Sequence, residues 1–131
     1  MFGCLANATI SDLTLENIEI SALTSSAVSS SNSYGILAGT ATNSTIKNVK
    51  VTGEACEISV ANNNFSSLYI GGLVGKINAG TKITNAAVNT AITTTMDTDS
   101  PDDYMYIGGV AGYVDKSYIT NSFYDGSIDN D

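Results

Sequence analysis

The 131-residue sequence contains no histidine, no tryptophan and no arginine, and its only proline is Pro101. Without histidine the commonest zinc ligand is missing. The two cysteines, Cys4 and Cys56, are too few for a zinc cluster or a disulfide framework. The apolar residues around Cys56 favour a buried free thiol there, and a Cys4–Cys56 bridge stays open. The sequence therefore predicts no cofactor and no cysteine- or histidine-based metal centre.

Positive charge is also scarce, since five lysines stand against thirteen acidic residues and the net charge is −8. Binding a phosphate backbone needs clustered Lys and Arg, so the composition argues against nucleic acid and against an anionic membrane surface. Residues 1–20 lack a basic start and an unbroken apolar run, so neither a signal peptide nor membrane insertion is predicted. With 43% hydrophobic residues, the chain can bury the core of one domain over residues 1–131.

What the sequence does contain is a repeat of about 36 residues. One glycine anchors each unit, at spacings of 36, 36 and 37 residues: Gly3, Gly39, Gly75 and Gly112. An isoleucine follows in every unit: Ile10, Ile46, Ile83 and Ile119. A polar residue comes two positions later: Asp12, Asn48, Asn85 and Asn121. We predict four units with approximate boundaries at 1–33, 34–69, 70–106 and 107–131.

The local pattern within the units is typical of strands. Leu73, Gly75 and Ile77 alternate with other residues at a period of two, and asparagine-rich breaks separate such runs. No window shows the 3.6-residue apolar spacing of a helix. A propeller with four 36-residue blades would be unusually small, whereas stacked coils about 4.8 Å apart turn each recurring residue into a column. We therefore predict an all-β fold, a β-solenoid of about four coils.

Stacked coils give the recurring residues physical roles. The isoleucine column is expected in the core, and the asparagines can hydrogen-bond along theirs. Gly75 and its equivalents lie on the inward phase, where a missing side chain lets the wall bend or a bulky neighbour fill the space. Tyr113 aligns with Cys4, Thr40 and Lys76 in an outward column, so we expect it to be at least partly exposed. Because tyrosine is enriched at interfaces, Tyr113 is a candidate binding residue, with packing between coils as the alternative.

Gly72-Leu73-Val74-Gly75 and its close variant Gly109-Val110-Ala111-Gly112 resemble the GLUG motif, a repeat of bacterial surface proteins. Met1-Phe2-Gly3 looks like a shortened copy, and Leu37-Ala38-Gly39 departs by carrying Ile36 in place of the first glycine. The resemblance implies a right-handed parallel β-helix cut from a longer exported or wall-attached bacterial protein of the adhesin type. Similar repeats occur in surface metallopeptidases that cut immunoglobulin A. Their zinc motif contains histidine, so the resemblance does not carry peptidase activity to this chain.

Acidic residues offer two weaker possibilities. Four of them surround the only proline: Asp97, Asp99, Asp102 and Asp103. They are weak calcium candidates, because the glycine and glutamate of an EF-hand loop are missing and a solvated turn is the simpler interpretation. The carboxylates considered for acid–base chemistry share no column with a fixed partner: Asp12, Glu16, Asp115, Asp125 and Asp129. Without such a pair, and without arginine to hold a uronate, a lyase or hydrolase is not favoured.

We therefore expect a non-catalytic structural or binding repeat module of a secreted or cell-surface bacterial protein, acting as an adhesin-like stalk or binding surface. The alternative is an accessory or carbohydrate-binding repeat region attached to a surface enzyme, such as a peptidase or a glycan-active enzyme. The expected partner is a host glycan or an extracellular-matrix protein. Unpaired strand edges on the first and last coils also predict end-to-end self-association.

Overall fold

The computed structural model describes residues 1–24, 31–62, 67–96 and 104–130, and every regular element within these ranges is a β-strand. The strands form four sheets, called A to D in the order in which the chain first visits them. Within the same ranges, no helix is long and apolar enough to cross a lipid bilayer.

The strands are distributed among the four sheets as follows. Sheet A contains β1 (Phe2–Ala6), β5 (Ala38–Thr42), β9 (Val74–Asn78) and β14 (Ala111–Val114). Sheet B contains β2 (Thr9–Glu16), β6 (Thr45–Thr52), β10 (Lys82–Thr84), β11 (Ala87–Val88), β15 (Tyr118–Thr120) and β16 (Phe123–Tyr124). Sheet C contains β3 (Glu19–Thr24), β7 (Glu57–Asn62), β12 (Ala91–Met96) and β17 (Ser127–Asn130). Sheet D contains β4 (Ser31–Tyr34), β8 (Ser67–Gly71) and β13 (Tyr104–Gly108).

The chain winds through sheets A, B, C and D in a fixed order. It completes this circuit three times and then crosses sheets A, B and C once more. The paired strands are parallel and join residues one repeat apart, as Leu5 pairs with Ala41 and Ala41 with Ile77. The all-β prediction is confirmed, and the fold is a parallel β-solenoid of about three turns.

Columns of like residues fill the interior. On sheet B the isoleucines stand in register: Ile10, Ile46, Ile83 and Ile119. Ile46 and Ile83 are fully buried, whereas Ile10 and Ile119 are partly buried because a described coil covers each of them on one side only. A second isoleucine column lies on sheet C: Ile20, Ile58, Ile92 and Ile128. The core therefore consists of stacked layers whose central members are best protected from water.

Three of the four anchor glycines, Gly39, Gly75 and Gly112, lie where neighbouring backbone leaves no room for a side chain, whereas an added Cβ at Gly3 would meet no atom within 4 Å. A Cβ added to Gly75 would lie 2.6 Å from the backbone nitrogen of Tyr34 and 2.8 Å from the carbonyl oxygen of Gly39. Backbone therefore fills the space at Gly75, where the sequence suggested a bend or a bulky side chain. A bulky neighbour fills the space at a different glycine, Gly109 of the preceding corner, where an added Cβ would lie 2.2 Å from the ring of Tyr124.

The asparagine column shares one backbone conformation. Asp12, Asn48, Asn85 and Asn121 have φ angles of 56°, 53°, 54° and 47°. This left-handed region is unfavourable for most residues, but Asn and Asp tolerate it because their short side chains hydrogen-bond locally. Asn48 Nδ2 donates to Asp12 Oδ1 at 2.8 Å, and Asn85 Nδ2 donates to Asn48 Oδ1 at 3.0 Å. The residues of this column thus allow the left-handed backbone conformation at the turn, and their side-chain hydrogen bonds link successive coils.

Replacing Asn48 with alanine is expected to lower the free energy of unfolding by about 1–3 kcal/mol, because alanine is disfavoured in the left-handed conformation and the two hydrogen bonds are lost. Asn48→Gly loses the same hydrogen bonds but adopts the conformation freely, so it should cost less than Asn48→Ala. Urea denaturation followed by circular dichroism compares the two variants. An equal decrease in the free energy of unfolding for the two variants would contradict the idea that the left-handed backbone conformation contributes to the cost of Asn48→Ala.

Candidate functional site

Two copies of one octapeptide pattern connect sheet D to sheet A. Residues 69–76 read YIGGLVGK and residues 106–113 read YIGGVAGY. Leu68 and Ile70 are buried on β8, so the alternation of a strand directs Tyr69 away from the core. Consecutive coils thereby place four outward side chains at one corner, which we call the aromatic cluster: Tyr69, Lys76, Tyr106 and Tyr113.

The three tyrosine rings of the aromatic cluster pack on one another. Tyr69 and Tyr106 stand in register on β8 and β13, with stacked rings whose centroids are 5.2 Å apart and whose planes are inclined by 11°. The ring of Tyr113 makes edge-to-face contacts with both, inclined by 65° to Tyr69 and 76° to Tyr106, with centroid distances of 5.4 Å in each case. Stacked and edge-to-face geometries are both favourable for aromatic pairs, so sheets D and A share one continuous aromatic surface.

Lys76 adds a positive charge to this surface. Its Nζ lies 4.8 Å from the ring centroid of Tyr69 and 5.3 Å from that of Tyr113, within the range of cation–π attraction. No carboxylate of the described residues forms an ion pair with this ammonium group. Ring faces do not accept conventional hydrogen bonds, and no described residue accepts one from this ammonium group, so its donors can serve an external acceptor.

The aromatic cluster is open to solvent. Tyr106 is 38% exposed, and Tyr104, two residues earlier on β13, is 56% exposed. In the preceding coil the equivalent positions hold small hydroxyl residues, because Ser33 pairs with Tyr69 and Thr40 pairs with Lys76. The aromatic side chains therefore belong to two coils and do not recur along the whole solenoid.

The structure places Tyr113 in the outward column expected from the repeat. Tyr113 pairs with Lys76, Lys76 with Thr40, and Thr40 with Cys4. Tyr113 is half-buried because the rings of Tyr69 and Tyr106 pack against it. The sequence shows Tyr69 and Tyr106 in a run of tyrosines that could bind a ligand or pack between coils, but it did not predict that both would contact Tyr113.

The two cysteines do not form a disulfide bond with each other. Cys4 is exposed and Cys56 is buried, and both are free. The Cys56 thiol donates to the carbonyl oxygen of Thr52 at 2.9 Å, and the amide of Ile18 donates to its sulfur at 3.4 Å. The prediction of a buried free thiol at Cys56 is confirmed.

The acidic candidates that the structure describes do not gather into a metal-binding group. Among the described residues, no group of three or more His, Cys, Asp or Glu side chains could hold a metal ion. Asp12 lies in the asparagine column, where hydrogen bonds from Asn48 and Ser11 lower the pKa of its carboxyl group. The calcium candidates Asp97, Asp99, Asp102 and Asp103 lie outside the described residues, so calcium binding there stays a prediction.

A shallow groove of about 650 Å³ lies elsewhere, where sheets B and C meet. Its polar side chains come from Thr52, Glu54, Asn89, Asp125 and Ser127, and none of the described residues that line it is aromatic or basic. The groove therefore combines two negative charges with no described cation or aromatic ring beside them. The aromatic cluster is the better candidate for recognition.

Comparison with known proteins finds relatives for this chain only as segments of much longer proteins. The chain is 31% identical over 156 aligned positions to an immunoglobulin A1 protease of Streptococcus pneumoniae, and 30% identical over 156 positions to one of Streptococcus sanguinis. These alignments cover 99% of the chain, which spans 7% and 8% of the respective proteases. No protein-family description matches the chain. No solved structure matches it significantly.

Proposed function

We propose that this chain is a non-catalytic repeat segment of a secreted or cell-surface bacterial protein, where it serves as an adhesin-like stalk or binding surface. The observation that carries the proposal is the parallel solenoid, in which the inward columns form the core and the outward side chains are left for contacts. The match to a small segment of two long proteases supports a role as one module among others.

Two finer features belong to the same proposal. We infer that the coil is right-handed, because nearly all crossover connections between parallel strands are, and that its repeat is of the GLUG type. Each sheet also has outer strands at both ends with no described neighbour beyond them, such as β1 and β14 in sheet A. Free parallel edges of this kind favour end-to-end association between copies.

A second candidate function is an accessory region that helps a surface peptidase engage its substrate. The similarity to the two immunoglobulin A1 proteases favours this alternative. In that role the outward surface of the solenoid would contact the substrate, while the catalytic groups would lie in another part of the protein. The two candidates differ in whether the isolated chain binds immunoglobulin A1.

Incubating the purified chain with human immunoglobulin A1 separates the candidates. For a stalk or adhesin-like module we expect cooperative unfolding of a β-rich fold, no cleavage with or without added zinc, and no binding in biolayer interferometry. Binding without cleavage would favour the accessory role. Cleavage by the chain alone would contradict both, and the heat-unfolded chain is the control for non-specific binding.

A further inference from the structure

We propose that the aromatic cluster binds a saccharide that carries a carboxylate, with the sugar ring stacked on the tyrosines and the carboxylate held by Lys76. This inference rests on the proposed function, since it assigns a ligand class to the outward surface of the solenoid. It is carried by the ring geometry, by an ammonium group that no described carboxylate pairs with, and by the small polar residues around them.

The tyrosines provide a stacking surface for a pyranose. One face of a sugar ring exposes apolar C–H groups, while its hydroxyls lie at the edges, which matches the apolar face and polar tip of tyrosine. Tyr69 covers one face of the Tyr106 ring, but β13 is the outermost strand of sheet D, so no described strand covers the other face. The exposed ring of Tyr104 extends this surface along the same strand.

The residues around the cluster favour a saccharide over a protein partner. Ser33 and Thr40 occupy the equivalent positions of the preceding coil, and Ser67 pairs with Tyr104. A stable protein interface buries about 800 Å² on each side around an apolar centre. Ser33 and Thr40, which stand beside Tyr69 and Lys76 on the neighbouring strands, carry hydroxyl groups suited to hydrogen-bond the edges of a sugar.

Lys76 selects for a negatively charged ligand. The rings of Tyr69 and Tyr113 hold the ammonium group in place without using its hydrogen-bond donors. A carboxylate beside it would form a charge-assisted hydrogen bond, which a neutral sugar lacks. Because the chain as a whole carries a net charge of −8, such a ligand would be attracted only where a cation stands locally, as it does here.

Tyrosine fluorescence can follow binding directly, because the chain has no tryptophan. We would titrate the folded chain with 3′-sialyllactose and with trigalacturonate as acidic probes, and with lactose as the neutral match. We expect both acidic sugars to change the tyrosine emission. Lactose should bind at least about tenfold more weakly than either of them. Calorimetry on the same samples provides the dissociation constants.

Variants locate the effect. Tyr106→Ala should weaken binding of the acidic sugars about tenfold or more, and Lys76→Gln should reduce their affinity to that of lactose. Tyr118→Ala and Lys82→Gln are matched controls, because these two residues are exposed and pair with each other on the outer side of sheet B. Both controls should bind like the unmodified chain, and circular dichroism verifies that each variant is folded.

Three results would overturn the inference: no response to any of the three sugars at millimolar concentration, unchanged binding by Tyr106→Ala, or equal affinity for lactose and the acids. None of these depends on the test of the proposed function. A chain that ignores sugars but unfolds cooperatively and leaves immunoglobulin A1 intact would remain a stalk without this site. A chain that cleaved immunoglobulin A1 would contradict the proposed function whatever its response to sugars.

Discussion

Replacing Gly75 with alanine is expected to abolish cooperative folding or to lower the free energy of unfolding by about 4 kcal/mol or more, a loss found only for severe core disruption. The added Cβ would lie 2.6 Å from the backbone nitrogen of Tyr34 and 2.8 Å from its carbonyl oxygen. Both atoms belong to the backbone of the neighbouring wall, which cannot rotate away as a side chain could. Urea denaturation and amide hydrogen exchange measure the loss.

The same column contains its own control at Gly3. An added Cβ at Gly3 would have no atom within 4 Å, so Gly3→Ala is expected to change the free energy of unfolding by no more than about 0.5 kcal/mol. The two substitutions are chemically identical and occupy equivalent positions in two coils. Similar effects from both would contradict the close approach of the walls at Gly75.

Replacing Ile83 with alanine is expected to lower the free energy of unfolding by about 2–5 kcal/mol, the range for truncating a buried isoleucine. Ile83 is completely shielded from solvent and stands in register between Ile46 and Ile119. Stacked coils above and below prevent the walls from collapsing into the cavity. Urea denaturation measures the change in the free energy of unfolding. An unchanged dependence of this free energy on urea concentration would show that the folded and unfolded states are as compact as in the unmodified chain.

The terminal member of this column tests the explanation. Ile119 is only partly buried because it has a described neighbour, Ile83, on one side of its column. Ile119→Ala therefore removes less buried surface and leaves a gap that solvent can reach, so its cost should be about 1 kcal/mol. A loss as large as that of Ile83→Ala would show that the column does not behave as stacked layers.

Constant spacing made part of this fold predictable. The column from Ile10 to Ile119 and the column from Gly3 to Gly112 each keep a period of 36 or 37 residues, and the strand pairing follows both. The column from Ile20 to Ile128 has spacings of 38, 34 and 36 residues, because turns of different length lie between its strands. A constant repeat length therefore does not identify this column in the sequence, although its four isoleucines are in register in sheet C.

For the candidate site, the sequence predicts the position of single residues but not the contacts between them. The period placed Tyr113 above Lys76, because both follow a glycine of the repeat. It could not reveal that Tyr69 and Tyr106 reach the same spot, since their contact with Tyr113 depends on how sheet D turns into sheet A. That turn passes through Gly71-Gly72 and Gly108-Gly109, and the repeat marks these glycines without specifying which outward side chains the turn brings together.

The four parallel sheets have a mechanical consequence. Their hydrogen bonds join one coil to the next, so they point along the axis on which the coils are stacked. A force that pulls the two ends apart loads the outermost coil first and opens its bonds one after another, as in unzipping. Each coil of about 36 residues would then release about 120 Å of extended chain. A solenoid of this kind resists bending but lengthens in steps under tension. Its hydrogen bonds would rupture one after another, whereas those of a sheet loaded in shear rupture together.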